Sequence, residues 1–136
     1  MKVLSIKEPY ASLIVNNIKK IETRSWKTKY RGELLIHASK TKEKNLTKEV
    51  VSISKNIHIN CGKIIGKANL KDCVYMDEEF IKKIKENPIE FQTGEYKVGR
   101  YAWILEDIKP LVPIPAKGKL NIWDYDGEYE LLNKIK

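Results

Sequence analysis

The run Gly32-Glu33-Leu34-Leu35-Ile36-His37-Ala38-Ser39 constrains the fold more than any other part of the chain. It leaves a glycine, turns apolar at once and reads as a buried strand. Its alternation places Leu34, Ile36 and Ala38 on one side, with Leu35, His37 and Ser39 opposite. The segment that feeds it is different in kind. Between Asn17 and Arg31 stand six basic residues, Lys19, Lys20, Arg24, Lys27, Lys29 and Arg31, against a single acid, Glu22. Two aromatics, Trp26 and Tyr30, interrupt them. A cationic segment broken by aromatics can neutralise phosphate and offer faces for bases to stack on. The pattern is a charged, aromatic-bearing surface held by a rigid core strand.

The rest of the chain supplies a sheet around that strand. Val3 to Ile6 reads as a first strand, and Pro9 suits the opening of a helix. That helix runs from Tyr10 to Asn16, and Asn16-Asn17 can stop it because Asn tolerates the left-handed conformation. Ile21 to Ser25 alternates as a strand, with Ile21, Thr23 and Ser25 on one face and Glu22 and Arg24 on the other. Lys19 has the wrong parity for that second face unless it sits in the preceding turn. Residues 26–32 form a loop, and residues 41–45 are polar and exposed.

Leu46 to Ile53 has helical spacing, and Gly62 to Val74 reads as a strand. Asp77 caps a helix that ends before Pro88. Arg100 to Leu105 is another strand. Pro110, Pro113 and Pro115 restrict 109–117 to an edge or an extended connection. A final short element follows near Trp123, before a polar, frayed C-terminus. The expected architecture is one α+β domain, a strongly bent mixed sheet of about six strands with two to three flanking helices.

Composition narrows the function classes. At 136 residues the chain fits one domain with a real hydrophobic core. Its net charge of +8 favours an anionic partner, although a lysine-rich solvated surface gives the same total. No apolar run approaches the ~20 residues of a membrane span, and no signal-peptide pattern opens the chain. Cys61 and Cys73 show neither metal spacing nor a disulfide framework. A cytoplasmic, reduced setting is the expectation, with no membrane partner, no metal, no cofactor and a monomer assumed.

Glu22 and Arg24, two apart on one strand face, could bond each other or jointly read a base edge. A surface ion pair worth ~0–1 kcal/mol is the plainer alternative. Trp26 and Tyr30 are possible stacking platforms or loop packing. Lys27, Lys29 and Arg31 could hold a nucleic-acid backbone, or simply be solvated. His37, inside an apolar strand, reads as a satisfied core histidine. Trp103 and Trp123 belong to the core or to a cleft wall.

The stretch Asn17-Ile18-Lys19-Lys20-Ile21-Glu22-Thr23-Arg24 resembles the GxKxxExR signature of the ASCH family, the activating signal cointegrator homology domains, with Asn17 in place of the glycine. Asn is the next residue most willing to take a positive φ. Leu4 to Ala11, Ser25-Trp26, Tyr30-Arg31-Gly32, Ile36 to Ser39, Gly99 to Trp103 and Gly118 to Trp123 also resemble the small prokaryotic members. The resemblance implies a PUA-like β-barrel with a cleft beside the motif that binds RNA or a modified nucleoside. Its ligand-binding residues would be Lys19, Glu22, Arg24, Trp26, Lys27, Lys29, Tyr30 and Arg31. Some members resemble acetylcytidine amidohydrolases, which use a lysine and a threonine of this motif, so a nucleoside hydrolase or ribonuclease is the alternative. Lys19 matches that lysine and would be catalytic with Glu22, but Glu22 occupies the threonine position.

Overall fold

The buried run becomes the strand on which two cores meet. The computed structural model describes residues 1–132. Its elements are β1 (Lys2–Ile6), α1 (Tyr10–Val15), β2 (Ile21–Arg24), β3 (Gly32–Ala38), α2 (Lys48–Ile53), β4 (Lys63–Tyr75), α3 (Glu78–Ile84), α4 (Pro88–Gln92), β5 (Tyr101–Pro115) and β6 (Ile122–Asp124). The strands form one sheet in the order β2-β5-β4-β3-β1-β6. β1 runs parallel to β3, and every other pairing is antiparallel. Register shifts along β3–β4 and β4–β5 mark bulges, which add local bend and twist and curl the sheet into a half-barrel.

β3 explains its own composition. Leu34, Ile36 and Ala38 join the larger core with Leu4, Ile6, Ile14 and Trp103. Leu35, one register step away, joins Val3, Ile64, Leu111 and Trp123 in a second core. Each Leu or Ile buried there contributes about 1.5–3 kcal/mol, so a strand with apolar residues on both sides is held twice.

α1 packs against the inside of the curled sheet, with Ala11 to Val15 all buried. Its approach to β4 is close enough that a Cβ on Gly66 would stand 2.5 Å from Val15 Cγ2. The helix stops at Asn16, and Asn17 takes φ 60°, the left-handed geometry that the signature glycine would supply.

Several boundaries differ from the sequence expectation. Pro9 sits at the N-cap of α1 and not inside its first turn. α3 ends before Pro88, as expected, but Pro88 then opens a further short helix, α4, making four helices among the described residues. A proline in the first helical turn gives up only an amide that has no partner there anyway. β5 continues through Pro110 and Pro113 to Pro115, where the sequence left an edge or a connection. This proline-bearing half is the expected edge, since β2 covers only the Tyr101–Ile104 part of β5. Beyond it, among the described residues, the side away from β4 meets only the tail near residues 110–112, where Pro110 accepts from Leu132 and needs no amide of its own. The described part of the C-terminal tail is not frayed: Leu131 bridges to Leu111, and Val112 donates its amide to Glu130. Residues 133–136 of that tail lie outside the described residues. No helix among the described residues is long and apolar enough to cross a membrane.

Candidate nucleic-acid interface

The signature segment splits into a buried layer and an exposed one. Lys19 precedes β2 and is only 1% exposed, with its amide and that of Ile18 both donating to the Leu13 carbonyl. Its Nζ lies 3.7 Å from Glu90 Oε2 and 5.8 Å from the centre of the Tyr10 ring. Burial pushes this ammonium below its ordinary pKa, against the upward pull of Glu22 and Glu90. Glu90, from α4, also accepts the backbone amides of Lys20 at 2.8 Å and Ile21 at 3.3 Å, tying α4 to the start of β2. Tyr96 lies in the same layer, and burial drives its hydroxyl far above the usual range. Lys19 Nζ and Tyr96 Oη are buried without a hydrogen-bond partner among the described residues.

On β2 the alternation holds. Arg24 Nε donates to Glu22 Oε2 at 2.8 Å, and Arg24 Nη2 donates to the Ser5 carbonyl, also at 2.8 Å. Glu22 is 8% exposed. This is no loose surface pair, because the guanidinium is fixed at both ends and only one carboxylate oxygen is used. Thr23 points the other way and accepts the Glu95 amide.

Glu22 and Arg24 line a broad cleft of about 1620 Å³. Tyr10, Thr93 and Arg100 share its wall, and a loop at 39–47 borders it. Arg100 braces that wall by donating to the carbonyls of Glu95 and Thr23. Ser5 connects two parts of the cleft: its carbonyl takes Arg24, and its hydroxyl meets His37 Nδ1 at 3.0 Å. His37 Nε2 lies 2.8 Å from the Ala116 carbonyl, which can only accept, so Nε2 carries the proton. Trp123 Nε1 donates to the Ser5 hydroxyl, which in turn donates to the neutral ring. Burial pushes the His37 pKa down, in agreement. His37 is the satisfied core histidine expected from its strand.

The remaining sequence-selected residues lie elsewhere. Lys19 stands behind the cleft wall, and Trp26, Lys27, Lys29, Tyr30 and Arg31 do not line the cleft. The Trp26 ring packs edge-on against Trp103, with centres 4.7 Å apart, while Trp103 Nε1 donates to the Trp26 carbonyl. Tyr30 packs on the main core and donates to the Glu33 carbonyl. Both rings cover the end of a core that would otherwise be open to water. Arg31 donates to the carbonyls of Thr28 and Tyr30 and so shapes its own loop. Lys27 and Lys29 are exposed. Tyr10, Thr93 and Arg100 are not among the site residues expected from the sequence; Tyr10 and Arg100 lie in segments that resemble the family, but with no role attached, and Thr93 lies in none.

A curled six-stranded mixed sheet with a helix packed inside it, and a cleft flanking the Glu22–Arg24 strand, make this an α+β half-barrel domain. The chain belongs to the ASCH domain family, whose model matches residues 4–130. It is 30% identical over 139 residues to human Activating signal cointegrator 1, and 28% identical over 138 residues to the mouse protein. Each alignment covers 92% of this chain but 22% of the relative, so the chain spans about a fifth of the length of those proteins. The crystal structure of ASCH from Zymomonas mobilis superposes with a TM-score of 0.54 at 21% identity, covering 84% of this chain and 72% of that one. A point mutant of the same protein gives 0.53, with 84% and 74% covered. Those likenesses establish the fold.

Proposed function

We propose that this domain binds RNA, with one base, plain or modified, seated in the cleft against Glu22 and Arg24. The observation that carries this reading is the fixed Glu22–Arg24 pair on a concave, basic wall. Arg24 is aimed by two bonds and Glu22 keeps an oxygen to accept from a base amine. Six basic side chains line the cleft, Lys7, Arg24, Lys40, Arg100, Lys117 and Lys119, against the acids Glu22, Glu43 and Glu95. That excess draws an anionic ligand. Lys27 and Lys29, on the loop that leaves Arg24, would hold backbone phosphates as the strand passes out of the cleft. Titrating a labelled single-stranded RNA at several salt concentrations tests the reading. Three or four phosphate contacts would give a log–log slope of about −2 to −3. Absence of binding at low salt removes the proposal.

A hydrolase is the second reading, favoured by one observation: a buried lysine of lowered pKa beside two carboxylates. Against it, Glu22 stands where the amidohydrolases resembled by this motif keep a threonine, and Arg24 Nε already occupies one Glu22 oxygen, which suits a ligand-holding group better than a base. We expect no release of cytidine from acetylcytidine, followed by chromatography. Robust turnover by the wild type that Glu22→Gln abolishes would make this domain an enzyme.

A further inference from the structure

The cleft's basic side chains fall into two groups. Arg24 bonds Glu22 and Ser5, and Arg100 bonds the Glu95 and Thr23 carbonyls, so the two arginines hold the wall together. Lys7, Lys40, Lys117 and Lys119 form no ion pair among the described residues. Elsewhere Lys2, Lys67, Lys71 and Lys97 each find a carboxylate. Other lysines, Lys27 and Lys29 among them, are also without an ion pair among the described residues, but Lys7, Lys40, Lys117 and Lys119 share the wall of one cleft.

Two of those lysines sit on a segment whose shape is set from inside the fold. The Ala116 carbonyl is held by His37, and the next turn brings Gly118 down onto the same ring. A Cβ at Gly118 would stand 2.6 Å from His37 Cε1 and 2.8 Å from Ser5 Oγ, so only glycine lets the backbone lie this low. Asn121, at φ 59°, then turns the chain into β6. Lys117 and Lys119 flank the point of contact, and both line the cleft. The segment is a strap pinned at its centre, with a free ammonium on either side of the pin.

Resting on the RNA reading above, we propose that Ala116–Asn121 is a phosphate-holding strap, and that the cleft takes a phosphodiester-bearing strand in preference to a free nucleoside. Ser5 places the strap next to the Glu22–Arg24 wall, since its carbonyl meets Arg24 and its hydroxyl meets His37. A base against Arg24 would therefore carry its phosphate toward Lys117 and Lys119. Ammonium groups are point charges that bind phosphate without demanding planar geometry. A neutral nucleoside would leave both unused.

The test uses the full chain and a short fluorescent single-stranded RNA, followed by anisotropy across a salt series. Lys117→Ala/Lys119→Ala should make the slope shallower by about 1.4, since each phosphate contact on a single strand contributes ~0.7. Inorganic phosphate should compete with RNA more weakly in this variant than in wild type. Gly118→Ala, checked first for an intact fold by thermal unfolding, should lose affinity with both lysines still present. RNA binding with an unchanged slope in the double-lysine variant overturns the strap and leaves the cleft reading standing. Normal affinity in Arg24→Ala with a shallower slope in the lysine variant does the reverse: the strap binds phosphate, but no base sits against Arg24. Absence of RNA binding by the wild type at low salt removes both.

Discussion

Lys19 and the loop carrying Lys27, Lys29 and Arg31 belong to one charged segment but occupy opposite environments. Lys19 is enclosed between Glu90 and the Tyr10 ring, and burial has lowered its pKa. Taking an ammonium out of water costs several kcal/mol, which a carboxylate at 3.7 Å must offset. The loop lysines remain exposed and hydrated. Interior charge is spent on architecture, while exterior charge remains available to a ligand. Arg24 lies between the two regimes, half-buried and braced, yet facing the cleft.

The comparison breaks most visibly at Glu90. Glu90→Ala removes the partner of a buried cation and the acceptor of two β2 amides. Losing one member of a buried pair costs about 3–5 kcal/mol. Urea unfolding should show a loss of that size, while Glu90→Gln, which can still accept one amide, should fall between. A loss below ~1 kcal/mol would mean that Lys19 does not lean on Glu90.

Arg24→Ala should come next, and on binding more than on folding. It removes the group that fixes Glu22 and spans to Ser5, so affinity for a preferred RNA should fall by about 1–3 kcal/mol and discrimination between sequences should relax. Measured against two RNA sequences, this variant must differ from Lys27→Ala. Equal losses on both sequences for both variants would erase the division between reading and positioning residues.

The parts of the molecule legible in its sequence are those set by neighbours in the chain. Parity on β2 put Glu22 with Arg24 and turned Thr23 away, because strand alternation is local. The left-handed Asn17 and the Asp77 cap follow for the same reason. The buried layer was not legible, since Glu90 reaches Lys20 across 70 residues and nothing in a helix-forming stretch marks one glutamate as internal. The aromatics stayed between two readings, stacking platform and loop packing, for a related reason. Trp26 and Tyr30 stand among cations in the sequence, but the fold needs their rings over Trp103 and the main core. The role proposed for Lys117 and Lys119 was not legible either, because it rests on Gly118 packing on His37, 81 residues earlier in the chain.

Histidine sharpens the contrast between buried and exposed cations on a smaller scale. His37 is 1% exposed and fixed as the neutral tautomer, whereas His58 is exposed. Burial lowers the folded-state pKa of His37, so the unfolded chain binds a proton more readily than the folded one. Stability from this ring is therefore complete above the unfolded value of about 6.5 and declines as pH falls below it, by at most ~1.4 kcal/mol per pH unit. Chemical unfolding at a series of pH values should show that decline, unaltered in His58→Gln and flattened in His37→Gln. A steeper decline in the His37 variant than in wild type would place the titrating group elsewhere.

The smallest effects belong to Lys27 and Lys29, and their smallness on one axis is what gives the other its meaning. Both side chains are exposed and form no ion pair among the described residues, so each alanine variant should unfold within about 0.5 kcal/mol of wild type. Arg31 is the internal control, because its guanidinium holds the Thr28 and Tyr30 carbonyls and its removal should loosen the loop. If the RNA backbone crosses this loop, each lysine variant lowers affinity evenly across sequences and makes the salt slope shallower by ~0.7. An even loss is expected because phosphates carry no sequence information. Should either lysine variant shift sequence preference while leaving the slope alone, the lysine would be touching a base, and the cleft would extend further along this loop than its walls indicate.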